Sequence, residues 1–397
     1  METLFAKLQE KLKNTQTDLI RDFIRDVPWK NRLIGIKGAR GAGKTTLLLQ
    51  YIKTSLPNDP SVLYCSLDDL YFSMNRLADL AGNFVKRGGR YLLLDEVHRY
   101  PDWSAELKNI YDDHANLSVV FTGSSVIDLK KAEADLSRRA LLFELPGLSF
   151  REYLNFNLRK HYQIYSFDDI LTHHGELTRE LLKDLLPIQE LNAYLKHGFY
   201  PYFLEDRENY LQRLAATMNL SMETDIPSVI DLPFSNIVKL KKLLYLLSLS
   251  VPFKPNIQRL SEKTGMTRNT VIQYLHLLED ARLIHLVYND AQGISYLQKP
   301  EKIYLHHPNL MYAFSHGAVE TGAVRETFLL SQLLPKHQVT YPAEGDFLVD
   351  GKYTLEAGGK HKKQKQIETV PDSYMAVDNI EYGFDRKIPL WLFGFLY

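Results

Sequence analysis

Eight consecutive residues, Gly38, Ala39, Arg40, Gly41, Ala42, Gly43, Lys44 and Thr45, place three glycines, a lysine and a hydroxyl at the spacing GxxxxGK[ST]. Glycines let the backbone curl around phosphate oxygens, Lys44 can reach the two outer phosphates of a nucleotide, and the Thr45 hydroxyl can ligate Mg²⁺. The apolar run LIGI before the loop reads as a strand, and TTLLLQYI after it reads as a helix that includes Thr46. Backbone N–H groups and the positive end of that helix therefore converge on one point.

A second set of groups follows in YLLLDEVHRYPDW, where an apolar strand ends in Asp95 and Glu96. The C-terminal end of a parallel strand opens on the ligand crevice, so both carboxylates arrive beside the phosphates. Asp95 would hold Mg²⁺ through water, and Glu96 would orient and deprotonate an attacking water. The strand LSVVFTGSS ends in Thr122, Ser124 and Ser125, hydroxyls able to touch the outermost phosphate or to cap the next helix.

Near the end of the chain, EGDFLVDGKYTLEAGGKHKKQK reads as a hairpin turning at Asp350 and Gly351. A three-residue loop over 350–352 sets Val349 opposite Tyr353 and Phe347 opposite Leu355, gathering the apolar side chains on one face. The same register sets Asp346 opposite Glu356, close enough for the two to share a divalent metal. Lys352, Lys360, Lys362, Lys363 and Lys365 form a local basic cluster attractive to a phosphate backbone.

The elements that must position these groups fall into five segments. Residues 1–30 read as amphipathic helices, with Leu4, Phe5, Leu8 and Leu12 on one stripe. Residues 31–149 alternate strands with helices, the pattern of a parallel sheet covered on both faces, and hence an α/β core. Residues 150–235 read as a helical lid. Residues 236–297 read as a helix, a helix-turn-helix closed by Gly265 and a wing-like strand, a winged helix. Residues 298–397 return to mixed helix and strand.

Composition sets the bounds. With 48 Lys+Arg against 48 Asp+Glu, 24% charged and 45% hydrophobic residues, the chain is globular and has no global charge to coat nucleic acid or membrane along its length. Any DNA must meet a local patch. The winged helix would offer Arg268, Asn269 and Gln273, but over 256–290 its four basic side chains are matched by four acidic ones, which fits an interdomain or partner-binding role as well. The single cysteine, Cys65, excludes internal disulfides and fits a reducing cytosol. LLYLLSLSVPF and PLWLFGFLY fall short of the ~20 residues of a membrane helix, and METLFAKLQEKLKNTQ lacks a signal peptide's apolar core. The expectation is a cytoplasmic protein with no membrane partner.

Phosphate loop, apolar-DE strand and polar-ended strand, in this order, resemble a prokaryotic AAA+ ATPase of the group whose core is followed by a helical lid, a winged helix and a C-terminal domain similar to the PD-(D/E)XK nucleases. The resemblance implies a Walker A at Gly38 to Thr45, a Walker B at Asp95 and Glu96, and a first sensor at Gly123 to Ser125, with Ser124 in the role. Within LSRRALLFELPGLSF, Arg139 matches the family's arginine, and Arg138 stands where glycine is usual. By resemblance Arg139 reaches the outer phosphate of a neighbouring subunit in a homo-oligomer, whereas a purely structural use would pair Arg138 and Arg139 with Asp135 or Glu144. GFYP (198–201) resembles the family's lid and suits packing. In the last segment the nuclease resemblance rests on Asp346 and Glu356, with Glu326 as a helical carboxylate; Gly358 stands where the E-x-K lysine belongs, and Lys360 is the substitute on the same strand face.

These readings lead to an AAA+ ATPase that binds and hydrolyses Mg-ATP to move its winged-helix and C-terminal segments. The alternatives are an ATP-gated DNA nuclease, or a nucleotide-bound scaffold for DNA or protein with little turnover.

Overall fold

The computed structural model describes residues 1–124, 136–230, 232–250, 252–289, 299–315, 319–362 and 367–397. The chain divides into two compact units, Met1–Pro146 with Thr224–Asp231, and Gly147–Glu223 with Leu232–Tyr397. This is a different cut from the five segments above. The N-terminal helices join the sheet in the first unit, and the remaining three segments share the second, apart from the stretch that returns at Thr224.

The first unit is built on a sheet of β1 (Leu33–Gly38), β2 (Val62–Ser66), β3 (Tyr91–Asp95), β4 (Ser118–Ser124) and β5 (Leu141–Glu144). Their order is β2-β3-β4-β1-β5, and every neighbouring pair is parallel. Leu33, Ile34, Ile36, Leu92, Leu93 and Leu94 are almost fully buried, as strands covered on both faces require. Helices α1 (Glu2–Asn14), α2 (Lys44–Ser55), α3 (Leu77–Lys86) and α4 (Trp103–Asp113) accompany the sheet. Leu4 and Leu8 form the buried stripe of α1. The last residue of β1 is a glycine, Gly38, and a Cβ there would lie 2.6 Å from the Leu145 carbonyl oxygen. Glycine at the start of the phosphate loop thus permits this close backbone approach.

In the second unit, α5 (Phe150–Leu158) starts with a capping box in which Ser149 accepts the Glu152 N–H and Glu152 reaches back to the Ser149 N–H. Helices α6 (Phe167–Leu181), α7 (Pro187–His197) and α8 (Tyr210–Leu220) follow. After them come α9 (Phe234–Ser248), α10 (Ile257–Thr264) and α11 (Arg268–Asp280), then an antiparallel pair of β6 (Ile284–Val287) and β7 (Lys302–Leu305). Gly265, at φ 69°, closes α10, and Thr267 caps α11 by accepting the Thr270 N–H. Helices α12 (Pro308–Phe314) and α13 (Thr321–Leu333) lead to a sheet of β8 (Val339–Thr340), β9 (Phe347–Val349), β10 (Tyr353–Gly359), β11 (Ser373–Asp378) and β12 (Lys387–Pro389). Its order is β12-β11-β10-β9-β8, with β9 antiparallel to both neighbours and β10 to β12 parallel.

One buried amide joins the helical part of this unit. Asn309 Nδ2 donates to the carbonyls of Tyr194 (2.8 Å) and Leu195 (2.7 Å) at the end of α7, while its Oδ1 accepts from the Phe199 N–H (2.9 Å) and the Tyr210 hydroxyl (2.7 Å). All four hydrogen-bonding positions of the amide are used. GFYP is thus a packing element, and Phe199 stacks on His307 with ring centroids 3.9 Å apart.

Burial, joined by neighbouring imidazoles, holds His306 and His307 well below the ordinary histidine range. Their pKa is lower folded than unfolded, so the unfolded chain binds more protons below pH ~6.5, and stability falls on acidification through that range. Urea unfolding followed by Trp391 fluorescence, in a Trp29→Phe, Trp103→Phe background, should show stability dropping between pH 6.5 and 5. His307→Gln should make that fall shallower by up to one proton's worth of linkage.

Candidate functional site

The phosphate loop turns on two left-handed glycines, Gly41 at φ 89° and Gly43 at φ 97°. Gly43 is the N-cap of α2 and brings no side chain to cap it, and the first hydrogen bond of the helix runs from the Leu47 N–H to the Gly43 carbonyl at 2.9 Å. The N–H groups of Lys44, Thr45 and Thr46 precede that bond and are the donors a helix start offers to an anion. Lys44 is 5% exposed, and its Nζ donates to the carbonyls of Gly38 (2.8 Å) and Ala39 (3.1 Å). Burial lowers its pKa, while Glu96, Asp95 and Asp225 pull the other way. Arg21, a buried residue from the N-terminal segment, braces the loop by donating to the carbonyls of Ala42 (3.2 Å) and Pro146 (2.6 Å).

Asp95 is 2% exposed and is held by hydroxyls. Thr45 Oγ1 donates to its Oδ2 at 2.6 Å, the Tyr64 hydroxyl donates to the same oxygen at 2.8 Å, and Thr122 Oγ1 donates to Oδ1. Thr122 also accepts the Glu96 N–H at 3.4 Å. Its hydroxyl is therefore spent on bracing the two carboxylate residues rather than on a phosphate or a water, which corrects the earlier expectation for Thr122. The acidic and hydroxyl oxygens of Asp95 and Thr45 are the hard donors that Mg²⁺ prefers. Glu96 takes a left-handed backbone at φ 54°, an uncommon state for a residue with a side chain, at the junction after β3. Its Oε2 lies 3.5 Å from Nε2 of His98. His98 Nδ1 accepts the Ser124 N–H at 3.3 Å, so the neutral ring carries its proton on Nε2, facing Glu96 and Asp225.

Asp225 was not singled out by any motif. It ends a π-helical turn, Ser221–Asp225, that continues α8, and it is 1% exposed. Arg40 grips it with a fork, Nη2 to Oδ1 at 2.8 Å and Nε to Oδ2 at 3.4 Å. Arg99 Nη2 is 3.4 Å from Oδ1 and Ser124 Oγ is 3.5 Å from Oδ2. Burial pushes the Asp225 carboxyl up, but His98 and Arg40 outweigh it and hold it well below the usual carboxylate range.

The remaining expected residues are more scattered. Arg139 makes a bidentate pair with Asp112, both bonds at 2.9 Å. Arg138 is exposed. Ser125, Asp135, Asp290, Lys363 and Lys365 lie outside the described residues. Arg268, Asn269 and Gln273 are all exposed on α11.

The C-terminal hairpin has the expected register, with Val349 opposite Tyr353 and Phe347 opposite Leu355. At Asp346 the ladder departs from it. The Asp346 N–H donates to the Leu355 carbonyl at 2.9 Å, Gly345 takes φ 89°, and Asp346 Oδ2 accepts the Ala357 N–H at 2.9 Å. The carboxylates are divided between two lysines. Lys302 Nζ is 2.6 Å from Glu326 and 3.6 Å from Asp346, and Lys362 Nζ is 2.8 Å from Glu356. Among the described residues no group of three or more His, Cys, Asp or Glu is placed to hold a metal. Lys360 does not fill the position vacant at Gly358. It is exposed beyond the end of β10, and Lys362 folds back instead, so that a Cβ on Gly358 would lie 2.6 Å from Lys362 Cδ.

Comparison with known proteins bears on both units. Residues 30–154 match a family described as an AAA domain, and residues 188–317 match a domain of unknown function, DUF8612. The chain is 28% identical over 393 residues to the uncharacterized protein MJ1637 of Methanocaldococcus jannaschii, covering 90% of this chain and 82% of that one. Similar solved structures include AMPPCP-bound DnaA from Aquifex aeolicus, 16% identical, covering 68% of this chain and 86% of that one at a TM-score of 0.25. Another is C. elegans PCH-2, 16% identical, covering 69% and 67% at a TM-score of 0.26. Among the described residues no helix is long and apolar enough to cross a membrane. The AAA-domain match falls on the all-parallel sheet and the phosphate loop, and it supports a P-loop fold and a nucleotide-binding, ATPase-like function for that part of the chain.

Proposed function

We propose that the first unit binds Mg-ATP and hydrolyses it, and that turnover drives conformational change in the winged-helix and C-terminal segments. The observation that carries this reading is the 2.6 Å bond between Thr45 and Asp95, which brings the hydroxyl of the phosphate loop and the carboxylate of β3 to one point beside Lys44 and an uncapped helix start. The loop from Gly38 through Thr46 would wrap the phosphates, with Lys44 exchanging its two carbonyl partners for phosphate oxygens. Thr45 and Asp95 would hold Mg²⁺, which when bound supplies charge neutralisation at the phosphates. Glu96 would take the proton of the attacking water, and Ser124 would sense the outer phosphate.

Arg139 is the proposed trans-acting arginine of a homo-oligomer. To act it must leave Asp112, a partly exposed pair that solvent screens and that is therefore of modest worth. Specific ATPase activity should therefore rise with protein concentration in wild type and become concentration-independent in Arg139→Ala.

A second reading, cleavage of DNA by the C-terminal sheet, is favoured by one observation, the Lys362 amine beside Glu356 in place of the missing E-x-K lysine. The same amine is tied up in that ion pair, and we propose that cleavage is slow or absent. In a Mn²⁺-dependent nicking assay, any activity should disappear in Lys362→Ala and survive Lys360→Ala.

The primary reading is checked by titrating Mg-ATP and by steady-state hydrolysis. Lys44→Ala should abolish tight binding, because Lys44 meets phosphate in the ground state. Glu96→Gln should bind normally yet lose turnover by on the order of 10²–10⁴, because Glu96 acts only as the bond breaks. Wild-type turnover in Glu96→Gln would overturn the role given to Glu96, whereas absence of turnover in wild type itself would favour the scaffold reading.

A further inference from the structure

We propose that Asp225 sets the preference of this site between nucleoside triphosphate and diphosphate, by standing where Arg40, Ser124 and Arg99 would otherwise be available to the outermost phosphate. The proposal rests on the ATP-binding reading above and adds a determinant that no phosphate-loop motif contains.

Arg40 is the one arginine within the phosphate loop, and a guanidinium fork recognises carboxylate and phosphate with the same geometry. Its fork is filled by Asp225 at 2.8 and 3.4 Å. Ser124, at the end of β4 next to the phosphate loop's own strand, faces the same carboxylate at 3.5 Å. Arg99 Nη2 and His98 Nε2 lie 3.4 and 3.8 Å from its Oδ1. The groups gathered on Asp225 include two guanidiniums, an imidazole and the hydroxyls of Ser124 and Thr224, and all but Thr224, its own chain neighbour, are donors that an outer phosphate would use. Asp225 is also close enough to Lys44 for its charge to oppose the burial-driven fall of the lysine's pKa.

An incoming outer phosphate and the Asp225 carboxylate therefore compete for the same donors, and at this range in a buried site they repel. A diphosphate ends before that point and meets no such competition. Triphosphate binding must release Asp225 from Arg40, and its affinity is lowered by the fraction of molecules in which the pair is closed. The released stretch, Thr224–Asp231, is continuous in the chain at both ends with the second unit, through Glu223 and Leu232. Only the nucleotide that carries an outer phosphate would loosen it.

The test measures binding of the magnesium complexes of ADP and of a non-hydrolysable β,γ-imido analogue of ATP to the full chain, wild type and Asp225→Asn. Asparagine keeps the shape and removes the charge. The analogue should bind Asp225→Asn more tightly by on the order of tenfold, with ADP affinity changed by less than about threefold. Unchanged or weaker analogue binding, or an equal gain for both nucleotides, overturns the proposal. Because a buried substitution can disturb folding, a second measurement uses wild type alone: amide hydrogen exchange over residues 221–230 should rise with the analogue and stay level with ADP. Level or slower exchange with the analogue also overturns it. If wild type binds neither nucleotide, the ATP-site reading itself falls and takes this proposal with it; if both bind and the ratio is unmoved in Asp225→Asn, only the proposal fails.

Discussion

Removing an ion from water costs several kcal/mol unless partners replace the lost hydration, and the first unit is arranged around that cost. Lys44, Asp95 and Asp225 are at most 5% exposed, within one small region at the C-terminal ends of the strands. Each is answered in a different way. Lys44 uses loop carbonyls, Asp95 uses three hydroxyls from three separate elements, and Asp225 uses guanidinium and imidazole. The parallel order β2-β3-β4-β1-β5 makes this feasible, because it sets β3 beside both β2, which brings Tyr64, and β4, which brings Thr122. A different strand order would leave Asp95 with fewer donors.

The second unit meets the same constraint with fewer charges. Asn309 uses every polar position it has, and Glu356, fully buried, is matched by Lys362 reaching back over a glycine. The glycine at 358 and the lysine at 362 are one device, since any side chain at 358 would occupy the path of the Lys362 stem. The division of Glu326, Asp346 and Glu356 between Lys302 and Lys362 follows from the same economy of burial, with each lysine neutralising the carboxylates nearest to it.

Legibility in the sequence followed the range of the interaction. The phosphate loop, its flanking strand and helix, and Asp95 with Glu96 are local patterns whose chemistry is carried by neighbours in the chain. The hairpin register was equally legible, since only one loop length gathers Phe347, Val349, Tyr353 and Leu355 on one face. Tyr64, His98 and Asp225 were not singled out, because their roles come from being brought to one point by the sheet and by a π-helical turn, and nothing in YCS, VHR or METD marks them. The expectation for Thr122 came from its position at a strand end, where a hydroxyl can face either a ligand or a neighbouring carboxylate, and the Asp95 side chain beside it decides between the two. Lys360 looked right by strand alternation, but β10 ends at Gly359, and alternation carries no force beyond a strand. The two-unit cut was illegible for a similar reason, as it depends on a return of the chain at Thr224 that no composition change announces.

That return has a consequence for how the molecule is made. A ribosome delivers the whole parallel sheet, its phosphate loop and Arg40 before it delivers Asp225, and residues 147–223 must emerge in between. At ~5–20 residues per second the delay is several seconds, long against the folding of a small α/β domain. During that interval Arg40 has no Asp225 to grip. The Arg40–Asp225 pair is therefore among the last contacts of the first unit that synthesis allows to form, and it closes the unit with a segment made after the second unit's helices α5 to α8.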